Sequence, residues 1–210
     1  MSRPDRDALS RERRSLLMRI ALKHFAGKGY HATKISDIVG EAGVAQGTFY
    51  WYFKSKEEVA LEIIKEGRNE LLAVIAQGYR REAGTVQDMV QSSEALLYRL
   101  FRFAEDNRPL MRLLLGGMAA TEAVYRAIGE TRVAMELAFL NNIRRAIELG
   151  MLPETIDARH RAALLMSLIE GGIARWLFGD ELPGNGFEGK TAREMAAEMA
   201  RFEFFGLLGI

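Results

Sequence analysis

The chain has no cysteine among its 210 residues. That excludes disulfides and thiolate metal sites and fits a reducing, cytoplasmic setting. Proline occurs only four times, and sustained alternation of apolar and polar residues is scarce. Both favour helices over sheets. No uninterrupted apolar run is long enough to span a membrane, so no membrane partner is expected. The charged N-terminus lacks an apolar core segment, so no signal peptide is expected either. The three histidines, at 24, 31 and 160, show no ligand spacing. Scattered Asp and Glu single out no catalytic pair. The expectation is a protein with no metal, no cofactor and no catalytic residue.

What is present fits a globular chain, 49% hydrophobic and 27% charged. The formal charge of +1 hides an asymmetry. Residues 1–56 carry 11 Lys/Arg against 5 Asp/Glu, a net +6, and residues 57–210 carry 18 against 23, a net −5. A small basic head on a larger acidic body points to a polyanion at the head.

Residues 1–10 read as a flexible polar arm. From Arg11, Leu16, Leu17, Ile20, Ala21 and Phe25 recur at helical spacing up to Gly27-Lys28-Gly29. Thr33 is placed to cap a short second helix with Ile35, Ile38 and Val39 inward. Gly43 is the natural turn residue after it. A third helix over about 45–53 sets Val44, Phe49 and Phe53 on one side. Two short helices across a glycine turn make a helix-turn-helix. Ser55 and Glu58 read as a capping box opening a fourth helix to about residue 80. Five more helices are expected, near 86–107, 109–118, 122–149, 156–178 and 191–208. The expected fold is all-α, with a helix-turn-helix DNA-binding domain over 1–54 and a helical domain over 55–210.

The segment from Gly43 to Lys56, GVAQGTFYWYFKSK, crowds aromatics, hydroxyls, an amide and lysines into a few turns. Bases need hydrogen-bond partners and methyl contacts, and phosphates need donors; this surface supplies both. Together with residues 25–33 and 35–39, it resembles the DNA-binding region of the TetR family of bacterial repressors, over about residues 15–64. The resemblance implies a homodimer on a palindromic double-stranded DNA operator, released by a small-molecule effector in the body. It implies Gln46, Gly47, Thr48 and Tyr50 at or beside base edges, and Thr33, Tyr50, Tyr52 and Lys56 on phosphates. Chemistry agrees with the readers: Gln pairs bidentately with adenine, Thr meets a thymine methyl, and Gly47 lets the backbone come close. Trp51 and Tyr52 are equally suited to packing on the first helix.

Gly184–Thr191 matches the string G-x-x-x-x-G-K-T of a phosphate-cradling loop. It is the main rival reading, a nucleotide-binding enzyme. Such a loop needs a buried strand before it and a parallel sheet around it. Here a helical pattern precedes it, and Thr191 with Glu194 reads as a helix cap. A third reading is a helix-turn-helix regulator governed by a protein partner.

In the body, Leu168, Gly172 and Trp176, then Met195, Met199 and Phe202, form stripes suited to a four-helix dimer interface. Phe101, Met111, Leu114, Leu115, Met118, Tyr125, Phe139 and Met166, with Glu170 among them, are the expected lining of an effector cavity. Their apolar bias points to a hydrophobic effector.

Overall fold

The computed structural model describes residues 3–116, 120–179 and 184–207, with side chains from 8 to 206 within those spans. Among the described residues all regular structure is helical. The elements are α1 (Arg3–Lys28), α2 (Ile35–Ala42), α3 (Gln46–Tyr52), α4 (Lys56–Ala76), α5 (Val86–Asp106), α6 (Arg108–Leu115), α7 (Glu122–Glu148), α8 (Ala158–Phe178) and α9 (Ala192–Phe202). A π-helical turn, Glu203–Leu207, follows α9.

The chain forms two compact units: Met1–Gly67 with Pro109–Gly129, and Arg68–Arg108 with Glu130–Ile210. The first half of α4 belongs to the head. Its Val59, Ala60, Ile63 and Ile64 are buried, and Glu62 and Glu66 grip Arg14 of α1 at 2.8 and 2.9 Å. Compactness therefore breaks inside α4, whereas a functional division is expected at residue 54.

In the first unit, α1 buries Leu17, Met18, Ile20, Ala21 and Phe25, α2 buries Ile38 and Val39, and α3 buries Phe49, with Phe53 just beyond it. Full burial of the Leu, Ile, Val, Met and Phe side chains among them is worth about 1.5–3 kcal/mol each. The expected arm at 1–10 is corrected: α1 is helical from Arg3. Pro4 is tolerated there because the first turn needs no N–H donor. Further along, Ser10 Oγ donates to the Tyr52 hydroxyl at 3.2 Å, tying α1 to α3.

In the second unit α5 lays Met89, Leu96, Leu97, Leu100, Phe101 and Ala104 inward. Facing them, α9 buries Ala192, Met195, Ala196, Met199 and Ala200. A Cβ on Gly172 of α8 would stand 2.6 Å from the Met199 methyl, so α9 packs directly on α8 there and a larger residue would make that methyl swing aside. This corrects part of the expected dimer interface. Gly172, Met195 and Met199 lie in the chain's own core, because a stripe of apolar residues does not name its partner. Trp176 is half-buried, packs edge-on against Phe101 at 5.4 Å, and donates through Nε1 to the Lys190 carbonyl at 2.7 Å. Leu168 is half-buried, and Phe202 is 55% exposed.

Candidate nucleic-acid interface and body cavity

The turn between α2 and α3 is set by Gly43, at φ 65 and ψ 32. That left-handed conformation is strained for any residue with a Cβ. The Val44 N–H bonds back to Val39 O at 3.1 Å, closing the end of α2. Phe49 and Phe53 then pin the next segment from below, with ring centroids 5.6 Å apart.

With those anchors inward, the opposite side of α3 is outward. Gln46 and Gly47 are exposed and Thr48 is half-buried. Tyr50 is 50% and Trp51 82% exposed. Packing of Trp51 on the first helix is thus corrected. It lies two residues after Phe49, about 200° around the helix, on the opposite face. Tyr52 is half-buried against α1 through the Ser10 contact.

Two expected phosphate holders are otherwise engaged. Thr33 is 1% exposed. Its hydroxyl donates to Gly29 O at 2.8 Å, and its N–H to Tyr30 O at 3.3 Å. Both donors are used internally. Nor does it cap α2: the cap position is Lys34, whose N–H donates to the Asp37 carboxylate at 2.9 Å. Lys56 Nζ donates to Tyr30 O at 2.7 Å, Thr33 O at 2.8 Å and His31 O at 3.3 Å. Those are the three donors of an ammonium group. The same nitrogen sits 4.4 Å from the Tyr30 ring centroid, a cation–π contact. Burial pushes the Lys56 pKa down from the ordinary lysine range. Lys56 is a clasp on the α1–α2 loop. The residues expected to hold phosphate there instead build the loop that carries α2.

Other head cations are also internally matched. Lys23 pairs with Glu41 at 2.7 Å, and Lys28 pairs with Asp37. Lys28 and the Lys34 N–H, both on Asp37, hold its carboxyl below the usual carboxylate range. Lys34 and Lys54, flanking the two short helices, are exposed and have no ion pair among the described residues. Helical period places Trp51 on the outward face. The sequence allows Lys34 and Lys54 a phosphate contact but does not separate that from a solvated lysine, since pairing is a three-dimensional property. The capping of α4 stands: Glu58 N donates to Ser55 Oγ at 3.1 Å. The Glu58 carboxylate reaches one residue beyond the cap, to the Lys54 N–H.

In the second unit a partly open cavity of about 80 Å³ lies between the α4–α5 connection, α5, α7, α8 and the π-helical turn. Of the expected lining residues it includes only Phe139. Phe101 and Met166 are core. Glu170 is half-buried and pairs with Arg132 Nε at 3.0 Å; burial raises its pKa despite that partner. Met111, Leu114, Leu115 and Tyr125 belong to the first unit. Met111 and Leu114 are buried, Leu115 is half-buried, and Tyr125 is 49% exposed. Met118 lies outside the described residues. The residues that do line the cavity include Met89, Leu96, Leu97, Ile143 and Phe204, with Ser93 and Glu203.

The phosphate-loop string at Gly184–Thr191 follows helix α8 and no strand occurs among the described residues. Asn185 Nδ2 donates to the Arg175 carbonyl at 3.0 Å, and Arg175 lies over the Phe187 ring. Thr191 caps α9, accepting from Glu194 N at 3.2 Å. The glycines make an inter-helix turn docked on α8, with positive φ at Gly184 and Gly189.

The family described as "Bacterial regulatory proteins, tetR family" matches residues 17–63. The HTH-type transcriptional activator FasR of Mycolicibacterium smegmatis is 30% identical over 169 residues, 80% of this chain and 74% of that protein. Among solved structures, the fatty acid degradation regulator FadR from Bacillus halodurans aligns with TM-score 0.77 at 19% identity, covering 93% of this chain and 96% of that one. The transcriptional regulator FadR from Bacillus subtilis, in complex with stearoyl-CoA, aligns with TM-score 0.74 at 19% identity, covering 93% and 98%.

Proposed function

Because the chain belongs to the TetR family of bacterial transcriptional regulators, we propose that it is a cytoplasmic homodimeric repressor whose α3 helices read a palindromic operator. The observation that carries this is the outward face of α3. Gln46, Gly47, Thr48 and Tyr50 stand clear of a core that Phe49 and Phe53 close behind them. Gln46 suits adenine and Thr48 a thymine methyl, while Gly47 allows close backbone approach. Tyr50, Lys34 and Lys54 serve phosphates, with Tyr52 bracing α3 against α1. Thr33 and Lys56 act indirectly by shaping the loop. Residues 1–54 bind DNA, and 55–210 pair the subunits and take the effector.

The pairing surface is the exposed side of α8 and α9. Leu164 is 39% exposed and Phe202 55% exposed; Leu168 and Gly171 lie beside Leu164 on α8. This surface replaces the buried Gly172, Met195 and Met199 as the dimer face. The effector is a small, mainly apolar molecule in the body cavity. Its binding shifts the population toward a state that fits the operator less well, and linkage makes the weakening reciprocal. The cavity favours this over control by a protein partner.

Selection from a random-sequence duplex library tests the reading. It should yield a palindrome bound by a dimer, with affinity falling steeply with salt. A palindrome-independent, salt-insensitive interaction would refute it. Leu164→Glu should give a monomer by native mass spectrometry that no longer binds the palindrome cooperatively. A reporter fused to the selected site should rise when the gene is deleted if the protein represses.

A further inference from the structure

Glu203 is 8% exposed and lines the apolar cavity of the second unit. The π-helical turn Glu203–Leu207 sets it and Phe204 on the cavity wall. Such departures from α-helix often mark functional positions. Ser93 Oγ donates to Glu203 Oε2. Among the described residues the other carboxyl oxygen has no partner. That oxygen is open to the cavity, where a ligand donor can reach it.

We infer that the cavity binds an apolar molecule through a single neutral hydroxyl, which donates to the open oxygen of Glu203. The inference rests on the reading of this unit as the effector-binding part. The surrounding wall is mostly hydrocarbon: Leu96, Leu97, Phe139 and Ile143. At about 80 Å³ the cavity exceeds the roughly 10–15 Å³ one water needs and falls short of the roughly 150 Å³ that holds benzene. It therefore encloses the hydroxyl-bearing end, and the remaining chain follows the open side outward. Neutrality follows from the field. Burial raises the Glu203 pKa to about 7, opposed only by the Ser93 bond, and no neighbouring charge contributes. A ligand carboxylate would be repelled by the ionised carboxyl and would lose its own hydration in the same dry site. An ammonium would bring a second charge into the same dry site, where desolvation cancels much of the attraction. Arg80, also on the wall, is occupied with Ser92 Oγ at 3.2 Å and Asp88 O at 3.4 Å.

Calorimetric titration of the full chain at neutral pH with 1-octanol, octylamine and octanoate tests this. Octanol should bind roughly tenfold more tightly than either charged analogue. Glu203→Gln keeps an acceptor and should hold octanol within about threefold, whereas Glu203→Leu should lose roughly tenfold. Tighter binding of octylamine or octanoate, or unchanged octanol binding in Glu203→Leu, overturns the inference. Anisotropy with the selected duplex separates the two readings. Octanol binding without duplex release leaves the hydroxyl site standing and removes the effector role. Duplex release by another apolar compound, with no octanol binding, removes the hydroxyl site alone.

Discussion

The two units treat one ionisable side chain each in opposite ways. In the head, Lys56 gives all three of its donors to loop carbonyls, from Tyr30, His31 and Thr33. In the body, Glu203 meets one hydroxyl, from Ser93, and opens its remaining oxygen on a cavity. A half-buried charge with all its donors matched stiffens the loop that carries α2. A half-matched one leaves room for something to bind. The proposed division of labour, DNA read by the head and an effector taken by the body, would use both: a stiffened loop behind α2 and an open oxygen on a cavity.

Replacing Lys56 by Met puts the largest strain on that contrast. Three carbonyls lose their donor, and the head should lose about 3 kcal/mol in urea unfolding. Operator affinity should fall for every sequence together, because the loop behind α2 loosens. Unchanged stability with a flatter salt dependence would return Lys56 to direct phosphate contact.

The pH dependence sharpens the other side. The Glu203 pKa is raised in the folded chain to about 7, so the folded state holds a proton that the unfolded state has released. Its stabilising contribution is complete at acid pH, below the ordinary glutamate range. It is lost as pH rises toward and through 7. The loss should be on the order of 3 kcal/mol, since each tenfold change in proton affinity is worth about 1.4 kcal/mol. Thermal unfolding between pH 5 and 8 should show it in the parent chain, and Glu203→Gln should flatten it. Equal slopes in both would mean the carboxyl is better solvated than the cavity implies.

At the head surface, Gln46→Ala should cost roughly 1–2 kcal/mol at the selected operator and relax preference at one base pair. Binding all sequences as the parent does would remove Gln46 from the readers. The smallest effect belongs to Trp51→Ala. At 82% exposed, its loss should change stability by less than about 0.5 kcal/mol. The chain has two tryptophans, so the variant reports only Trp176. A fluorescence change on adding operator that persists in it would place the reporting contact away from α3.

Much of this was legible before any coordinates. The anchors Phe49 and Phe53 followed from spacing, and so did the Gly43 turn, since a tight connection between two short helices needs a residue free of a Cβ. The caps at Ser55 and Thr191 were equally local, because their partners lie three residues away. The cavity residues were not. Phe101, Phe139 and Met166 have the same hydropathic character, yet only Phe139 meets the void. Side-chain type reports burial; it does not report which neighbour is absent. The resemblance implies phosphate roles for Thr33 and Lys56, yet the fold turns both side chains onto backbone carbonyls. Their carbonyl partners belong to the α1–α2 loop, more than 20 residues before Lys56.

By itself, then, the sequence determined the helical rhythm, the basic head on an acidic body and the place of the helix-turn-helix. All of these rest on short-range spacing and on charge summed along the chain. Tertiary structure alone decided that Lys56 locks a loop, that Gly172 and Met199 close a core and that Glu203 faces a cavity. Each depends on which distant atoms arrive beside a group, and local pattern carries no record of that.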